Sequence, residues 1–423
     1  MSLPGHPHIA YRNGALHIED CPAADLAQRF GTPLYVYSRG SMLAALAPYQ
    51  RALAGRRHLV CYAVKANPNL SVLQTFARAG CGFDIVSGGE LERVLAAGGD
   101  AGKVVFSGVG KTRREMARAL EVGVRCFNVE STAELEALSE VAQAHGKRAP
   151  VSLRVNPNVD AKTHPYISTG LTHNKFGIAH EDALAAYRRA AELPGIAVHG
   201  IDCHIGSQIT EPGPYLDALD KVLDLIEAVE AQGIRLTHID FGGGLGITYT
   251  DEAPPAADAL ITALLKRLDE RGHGQRELIL EPGRSLVGNA GALLTEVLYL
   301  KPSAHKNFCI VDAAMNDLLR PTLYEAVMGI VSCAPRAGAA EHTWDIVGPV
   351  CESGDWLGRD RRLAVQAGDV LAILSAGAYG MSMASHYNTR PKPAEVMVDG
   401  AEAWIVRERE TVADLFAREQ LAR

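Results

Sequence analysis

Leu59-Val-Cys-Tyr-Ala-Val-Lys-Ala-Asn-Pro-Asn-Leu-Ser-Val-Leu-Gln-Thr-Phe-Ala-Arg-Ala-Gly-Cys-Gly-Phe-Asp-Ile-Val86 is the stretch that decides the fold. An apolar run ends in a lone lysine, Pro68 turns the chain, apolar residues then recur every three to four positions, and a second apolar run follows. That is strand, turn, amphipathic helix, strand. The beat continues, with strand patterns at 59–64, 82–86, 103–107, 126–129, 151–155, 200–204, 238–241 and 278–280. Helical patterns such as 70–79, 90–97, 113–122, 133–144 and 216–231 lie between them. This cadence predicts an α/β fold, a (β/α)8 barrel of the TIM type. A doubly wound open sheet would give the same alternation, and the polar residues decide between the two. Lys65, Asp84, Arg154, His204, the Gly242–Gly244 run and Glu281 each end a different strand. A closed barrel gathers those ends on one rim, whereas an open sheet strings them along an edge.

After Gly283 the beat changes. Strand-like runs at 292–300, 308–311, 343–347, 370–374, 394–398 and 402–406 are separated by Gly/Pro/Asp turns, with few helices between them. They predict a second, β-rich domain of the barrel or sandwich kind. Short strands at 8–12, 15–18 and 34–37 are expected to join it. The expected division is a barrel over 39–285 and a β-rich domain built from 1–38 and 286–423.

Forty-seven per cent of the 423 residues are hydrophobic and 22% charged, which is the composition of an ordinary globular protein. Forty-two Lys and Arg against 49 Asp and Glu leave a net charge of -7. With no basic stripe, a nucleic-acid partner is not expected. The opening residues lack a basic segment followed by an apolar one, and no apolar run reaches membrane-spanning length. The eight cysteines form no CxxC pair and no metal-ligand spacing, so no metal site is expected. Unpaired thiols in apolar runs point to a reducing compartment, and the expected location is cytoplasmic.

Four motifs carry chemistry. Lys65 sits where an apolar strand delivers one cation to its end; partly desolvated there, its amine can attack an aldehyde to form a Schiff base. In another setting it would be a surface lysine. Gly242-Gly-Gly-Leu-Gly246 follows the seventh strand, where barrels often bind phosphate through backbone N–H groups unobstructed by Cβ; a plain tight turn is the alternative. Glu281 ends the eighth strand, and its carboxylate can keep a pyridine nitrogen protonated or pair with a neighbouring arginine. His204 can stack its ring on an aromatic cofactor or be a satisfied core histidine.

These motifs, in this order, resemble the fold-type III pyridoxal-phosphate-dependent decarboxylases, which pair an alanine-racemase-like barrel with a β domain. The resemblance spans nearly the whole chain and implies a pyridoxal 5'-phosphate cofactor. Lys65 becomes the Schiff-base lysine, with Asp84 a supporting carboxylate, and His204 the ring that stacks on the cofactor. Ser207, Gly242, Gly243 and Gly244 hold the phosphate, Tyr379 adds a hydroxyl to phosphate and substrate, and Glu281 faces the pyridine nitrogen. In the barrel racemases an arginine takes that last place, so Glu281 favours decarboxylation over racemisation.

Gly348-Pro-Val-Cys-Glu-Ser-Gly-Asp355 is similar to the signature of the diaminopimelate decarboxylase family. The resemblance makes Cys351 the acid that reprotonates the substrate carbon after CO2 leaves. It is supplied across a dimer interface, which implies a homodimer. Arg320 and Tyr324 match the same family, although Val327-Met-Gly329 stands where its members usually carry a polar group. A substrate ending in both ammonium and carboxylate suits Glu352 for the first and Arg284, Arg320 and Tyr324 for the second. An ornithine or arginine decarboxylase must receive a cationic end, which two arginines would repel. The resemblance therefore implies conversion of meso-2,6-diaminopimelate to L-lysine, the last step of lysine biosynthesis. The rivals are a decarboxylase for carboxynorspermidine, arginine or ornithine, and a catalytically dead homologue acting as a binding regulator. The latter should have lost Lys65, Glu281 or Cys351, and all three are present.

Overall fold

Short runs buried on every side, with no polar face, are what a parallel strand becomes when helices cover the outside of a closed sheet and side chains fill the inside. Eight such strands occur: β1 (His58–Ala63), β2 (Gly82–Ile85), β3 (Val104–Phe106), β4 (Cys126–Val129), β5 (Ala149–Asn156), β6 (Ile196–Asp202), β7 (His238–Asp240) and β8 (Glu277–Leu280). Each pairs in parallel with the next, and β8 pairs with β1, so the sheet closes into a barrel. The sequence predicted all eight and the closure. A two-residue strand, Ile178–Ala179, adds itself to the end of β5.

The computed structural model describes residues 2–159, 174–336 and 338–422. The barrel belongs to a compact unit of Ala45–Gly246 and Ala253–Ser285; a second unit comprises Met1–Ala44, Ile247–Glu252 and Leu286–Arg423. Local chemistry fixes the barrel helices at their starts. Asn69, Ser87 and Ser131 accept backbone N–H bonds as N-caps, and Thr112 forms a full capping box with Glu115. Each such cap is worth about 1 kcal/mol. The helix Arg113–Val122 buries Met116, Ala119 and Leu120, one stripe at three- and four-residue spacing, and stops at Gly123 in the left-handed region.

In the second unit, Leu34–Ser38 lies between Gly291–Lys301, to which it is antiparallel, and Ala394–Asp399, to which it is parallel. The sheet runs on through Phe308–Val311 and His342–Val347 on one side and Glu402–Arg407 on the other. A four-stranded sheet from the first 22 residues packs Ile9, Leu16 and Ile18 into the same core as Leu34, Val36, Leu294 and Val396. The early strands thus share a core with the late ones. Trp356–Leu363 was not read as a strand. It is the edge strand of the sheet, and Arg359, Asp360, Arg361 and Arg362 break its apolar alternation. Charge at an edge guards against pairing with another chain and removes the signal that marks an interior strand.

Candidate active site

The barrel interior is layered, and the layers follow from the strand period of two. Leu59, Cys61, Val105, Cys126 and Ile279 form an apolar cluster drawn from β1, β3, β4 and β8. Beside it, Ser152 of β5 lies 2.7 Å from His238 Nε2 of β7 and 3.3 Å from Cys126 Sγ. Burial pushes His238 down to about 3, so this layer is uncharged. Two residues further along each strand the chemistry changes: Ser107, Asn128, Arg154, Asp202, Asp240 and Glu281 form a polar layer at the C-terminal ends, all buried. Asn128 Nδ2 reaches Ser107 Oγ, Asp240 Oδ2 and Glu281 Oε1 at 3.2, 3.2 and 3.3 Å. Arg154 binds Glu130 at 2.9 Å and approaches Asp202 at 3.9 Å.

Above this floor stands Lys65, in a single 3-10 turn, Val64–Ala66, that follows β1. The turn is pinned by Tyr62, whose hydroxyl donates to the Asn67 carbonyl at 3.0 Å. The Lys65 ammonium lies 2.6 Å from Asp84 Oδ2; the carboxylate is fully buried while the lysine side chain keeps 39% of its exposure. A cation anchored from below and open above is accessible to a ligand. Among the described residues Asp84 Oδ1 accepts no hydrogen bond.

The glycine run after β7 is built by steric necessity. A Cβ on Gly243 would stand 2.2 Å from the Glu281 carbonyl, and one on Gly244, where φ is +99°, 2.4 Å from the Gly206 carbonyl. Gly243 N–H donates to His204 Nδ1 at 3.4 Å. Burial, with Arg154 and Lys65 nearby, drives His204 well below its usual pKa, so its imidazole is neutral and the Gly243 bond leaves the remaining ring proton on Nε2. Arg284 donates to Ser207 Oγ at 2.9 Å, which places the guanidinium, expected to bind the substrate, against the hydroxyl expected to hold phosphate.

Glu281 is a strongly perturbed acid on the rim. Burial and the charges of Asp240, Asp84 and Asp202 push it well above the carboxylate range, against the pull of Lys65. Burial raises Asp202 in the same direction and Asp240 to about 6. Pyridoxal phosphate fits this set. A primary amine stands on a buried carboxylate, a glycine cradle has no room for Cβ, a neutral imidazole is available for stacking, and a buried acid awaits a cationic partner.

The second unit holds the remaining expected residues. Arg320 opens the short helix Arg320–Tyr324 and is 6% exposed, its guanidinium 5.2 Å from the Tyr249 ring centre and 5.4 Å from that of Tyr324. Tyr379 is half-buried at a φ of +55°, next to a turn in which Gly377 leaves no space between it and Val287. Seven cysteines are buried and Cys351 alone is exposed. Its loop is tied down by Asp355, which accepts the Met315 and Val350 N–H groups at 2.7 Å each. The Cys351 N–H donates to Asn388 Oδ1 at 3.1 Å, and Tyr387 OH donates to Glu352.

The sequence reading missed Asn128, Asp202 and Asp240 as site residues. One signal was available: Asp84, Asp202 and Asp240 are acids within apolar strand runs, a costly placement unless they have work at the strand ends.

Residues 39–288 match the family of pyridoxal-dependent decarboxylases, pyridoxal binding domain. A diaminopimelate decarboxylase of Pseudomonas aeruginosa is 59% identical over 414 residues, 98% of this chain and 99% of its own. That of Vibrio cholerae is 57% identical over 97% of both chains. The crystal structure of the M. jannaschii diaminopimelate decarboxylase, in complex with L-lysine, superposes with a TM-score of 0.95 at 40% identity over 99% of each chain. By both sequence and fold, this chain belongs to the diaminopimelate decarboxylase family of pyridoxal-dependent decarboxylases.

Proposed function

We infer that this chain removes one carboxyl group from meso-2,6-diaminopimelate to give L-lysine and CO2, at the substrate's D-centre. The observation that carries the reading is the likeness to diaminopimelate decarboxylases at 57–59% identity over nearly the full length of both partners. Bound pyridoxal phosphate supplies an electron sink for the pair left behind by CO2. This chain's residues do the rest. Lys65 carries the cofactor and Asp84 orients the Lys65 amine; the N–H groups of Gly242, Gly243 and Gly244, with the hydroxyls of Ser207 and Tyr379, hold its phosphate. His204, neutral, lies against the ring without adding charge, and Glu281 faces the ring nitrogen. Arg284, Arg320 and Tyr324 take the substrate's distal carboxylate, Glu352 its ammonium, and Cys351 gives the proton that replaces CO2.

The chain acts as a two-fold homodimer in the cytoplasm, with Cys351 serving the other chain's cofactor. The exposure of Cys351, against seven buried cysteines, supports that role. Among the described residues no helix is long and apolar enough to cross a membrane.

Substrate choice rests on Arg320. Arg320→Ala is expected to weaken diaminopimelate turnover by about 2–4 kcal/mol, the scale for removing a charge-assisted hydrogen bond within a desolvated site. Cofactor content should stay unchanged. Steady-state kinetics with cofactor quantitation checks both. Equal wild-type activity on lysine, ornithine and diaminopimelate would refute this basis for specificity outright.

A further inference from the structure

Asp202, Asp240 and Glu281 bring carboxylate oxygens within 4.8 Å of one another, all buried. Two side chains aim donors into the group: the Asn128 amide at Asp240 and Glu281, and the Arg154 guanidinium at Asp202. Donors repel a metal ion, so the cluster is fitted to hold protons. Asp240 is the best provided acceptor, taking the Gly242 N–H at 3.1 Å and the Asn128 amide at 3.2 Å, with the Glu281 carboxyl within 4.8 Å. The backbone locks the pair further, because Glu281 N–H donates to the Gly242 carbonyl at 2.7 Å.

We propose that Asp240, bridged to Glu281 by the Asn128 amide, is a positioning residue that takes over the Glu281 proton when the ring nitrogen of the cofactor arrives. The proposal rests on Glu281 facing that nitrogen. Two carboxyl groups this close share one proton and one negative charge. In the proposal the proton of the cofactor-free pair rests on Glu281, whose carboxyl is raised by burial and by the charges of Asp240, Asp84 and Asp202. A ring N–H needs an acceptor, and Glu281 becomes one when its O–H bond breaks and an O–H bond forms on Asp240. No proton leaves the site, and Glu281 then accepts from both sides. The other charged groups facing the pair are Asp84 with Lys65, and Asp202 with Arg154 and, behind it, Glu130; the Cys61 thiol lies below. None of these bridges Glu281 as Asn128 bridges Asp240.

Linkage makes this measurable. Apoprotein is titrated with pyridoxamine phosphate, which has the ring but no aldehyde, by calorimetry in two buffers of different ionisation enthalpy at neutral pH. Asp240→Asn keeps the shape and an acceptor for Gly242 but cannot receive a proton. It should therefore release about one more proton per site on binding than the wild type does. Its affinity should fall, relative to wild type, by about tenfold for each unit of pH lowered while Glu281 remains protonated. Equal proton counts in the two proteins would overturn the handover. Should Asp240→Asn fail to fold, infrared difference spectra of the wild type decide: the protonated-carboxyl band should shift on binding and persist, and its loss would overturn the proposal. Glu281→Gln separates the two levels, because unchanged affinity and proton count in that variant would remove the assignment of Glu281 itself.

Discussion

Replacing Lys65 by alanine is expected to leave a folded protein with no measurable decarboxylation. The amine stands 2.6 Å from Asp84, on a turn fixed by Tyr62 and capped onward by Asn69, so the turn keeps these anchors without the amine, with the exception that Asp84 loses a charge partner. That exception can be tested separately. Lys65→Arg keeps a cation beside Asp84, yet a guanidinium stays protonated and cannot form the covalent link to an aldehyde. Both variants should lose turnover, and the arginine variant should keep the thermal stability that alanine partly forfeits. The wild type should show a visible absorption band that borohydride removes, and neither variant should show it. Near-wild-type CO2 release from either variant, without added amine, would overturn the assignment of Lys65.

Cys351→Ala is expected to bind cofactor and substrate yet lose on the order of 10²–10⁴ in rate, the worth of a positioned general acid. Its effect should not spread, since the loop is held by Asp355 and Asn388 through backbone groups that alanine retains. Lys65 and Cys351 lie in different units of the chain, and a dimer in which they act together across chains makes a sharper forecast. Mixing Lys65→Ala with Cys351→Ala under conditions of subunit exchange pairs an intact lysine on one chain with an intact cysteine on the other. Random pairing makes about half the dimers mixed, each with one complete site, so about a quarter of wild-type activity should return. If mass spectrometry shows exchange and no activity returns, Cys351 serves its own chain or is not the acid.

Sequence pattern alone determined the barrel and most of its rim. Strand and helix periods are local properties, and Lys65, Gly242–Gly244 and Glu281 stand out because each breaks an apolar run where a turn must follow. The exposed Cys351 and buried Arg320 were likewise legible through the motifs around them. The edge strand Trp356–Leu363 was not, because its charges belong to an edge that only sheet order reveals. Nor was the acid floor. In a barrel strand buried on both faces, sequence cannot say which alternate residues point inward, since both sets are apolar by the same pressure. Only closure of β8 onto β1 turns Asn128, Asp202, Asp240 and Glu281 toward one another, from four strands spread over 153 residue positions. Burial raises both carboxyls, and the charges of Asp240, Asp84 and Asp202 raise Glu281 further. The local sequence thus placed each charged group at a strand end, and the tertiary fold decided which of them lie within 4.8 Å of one another.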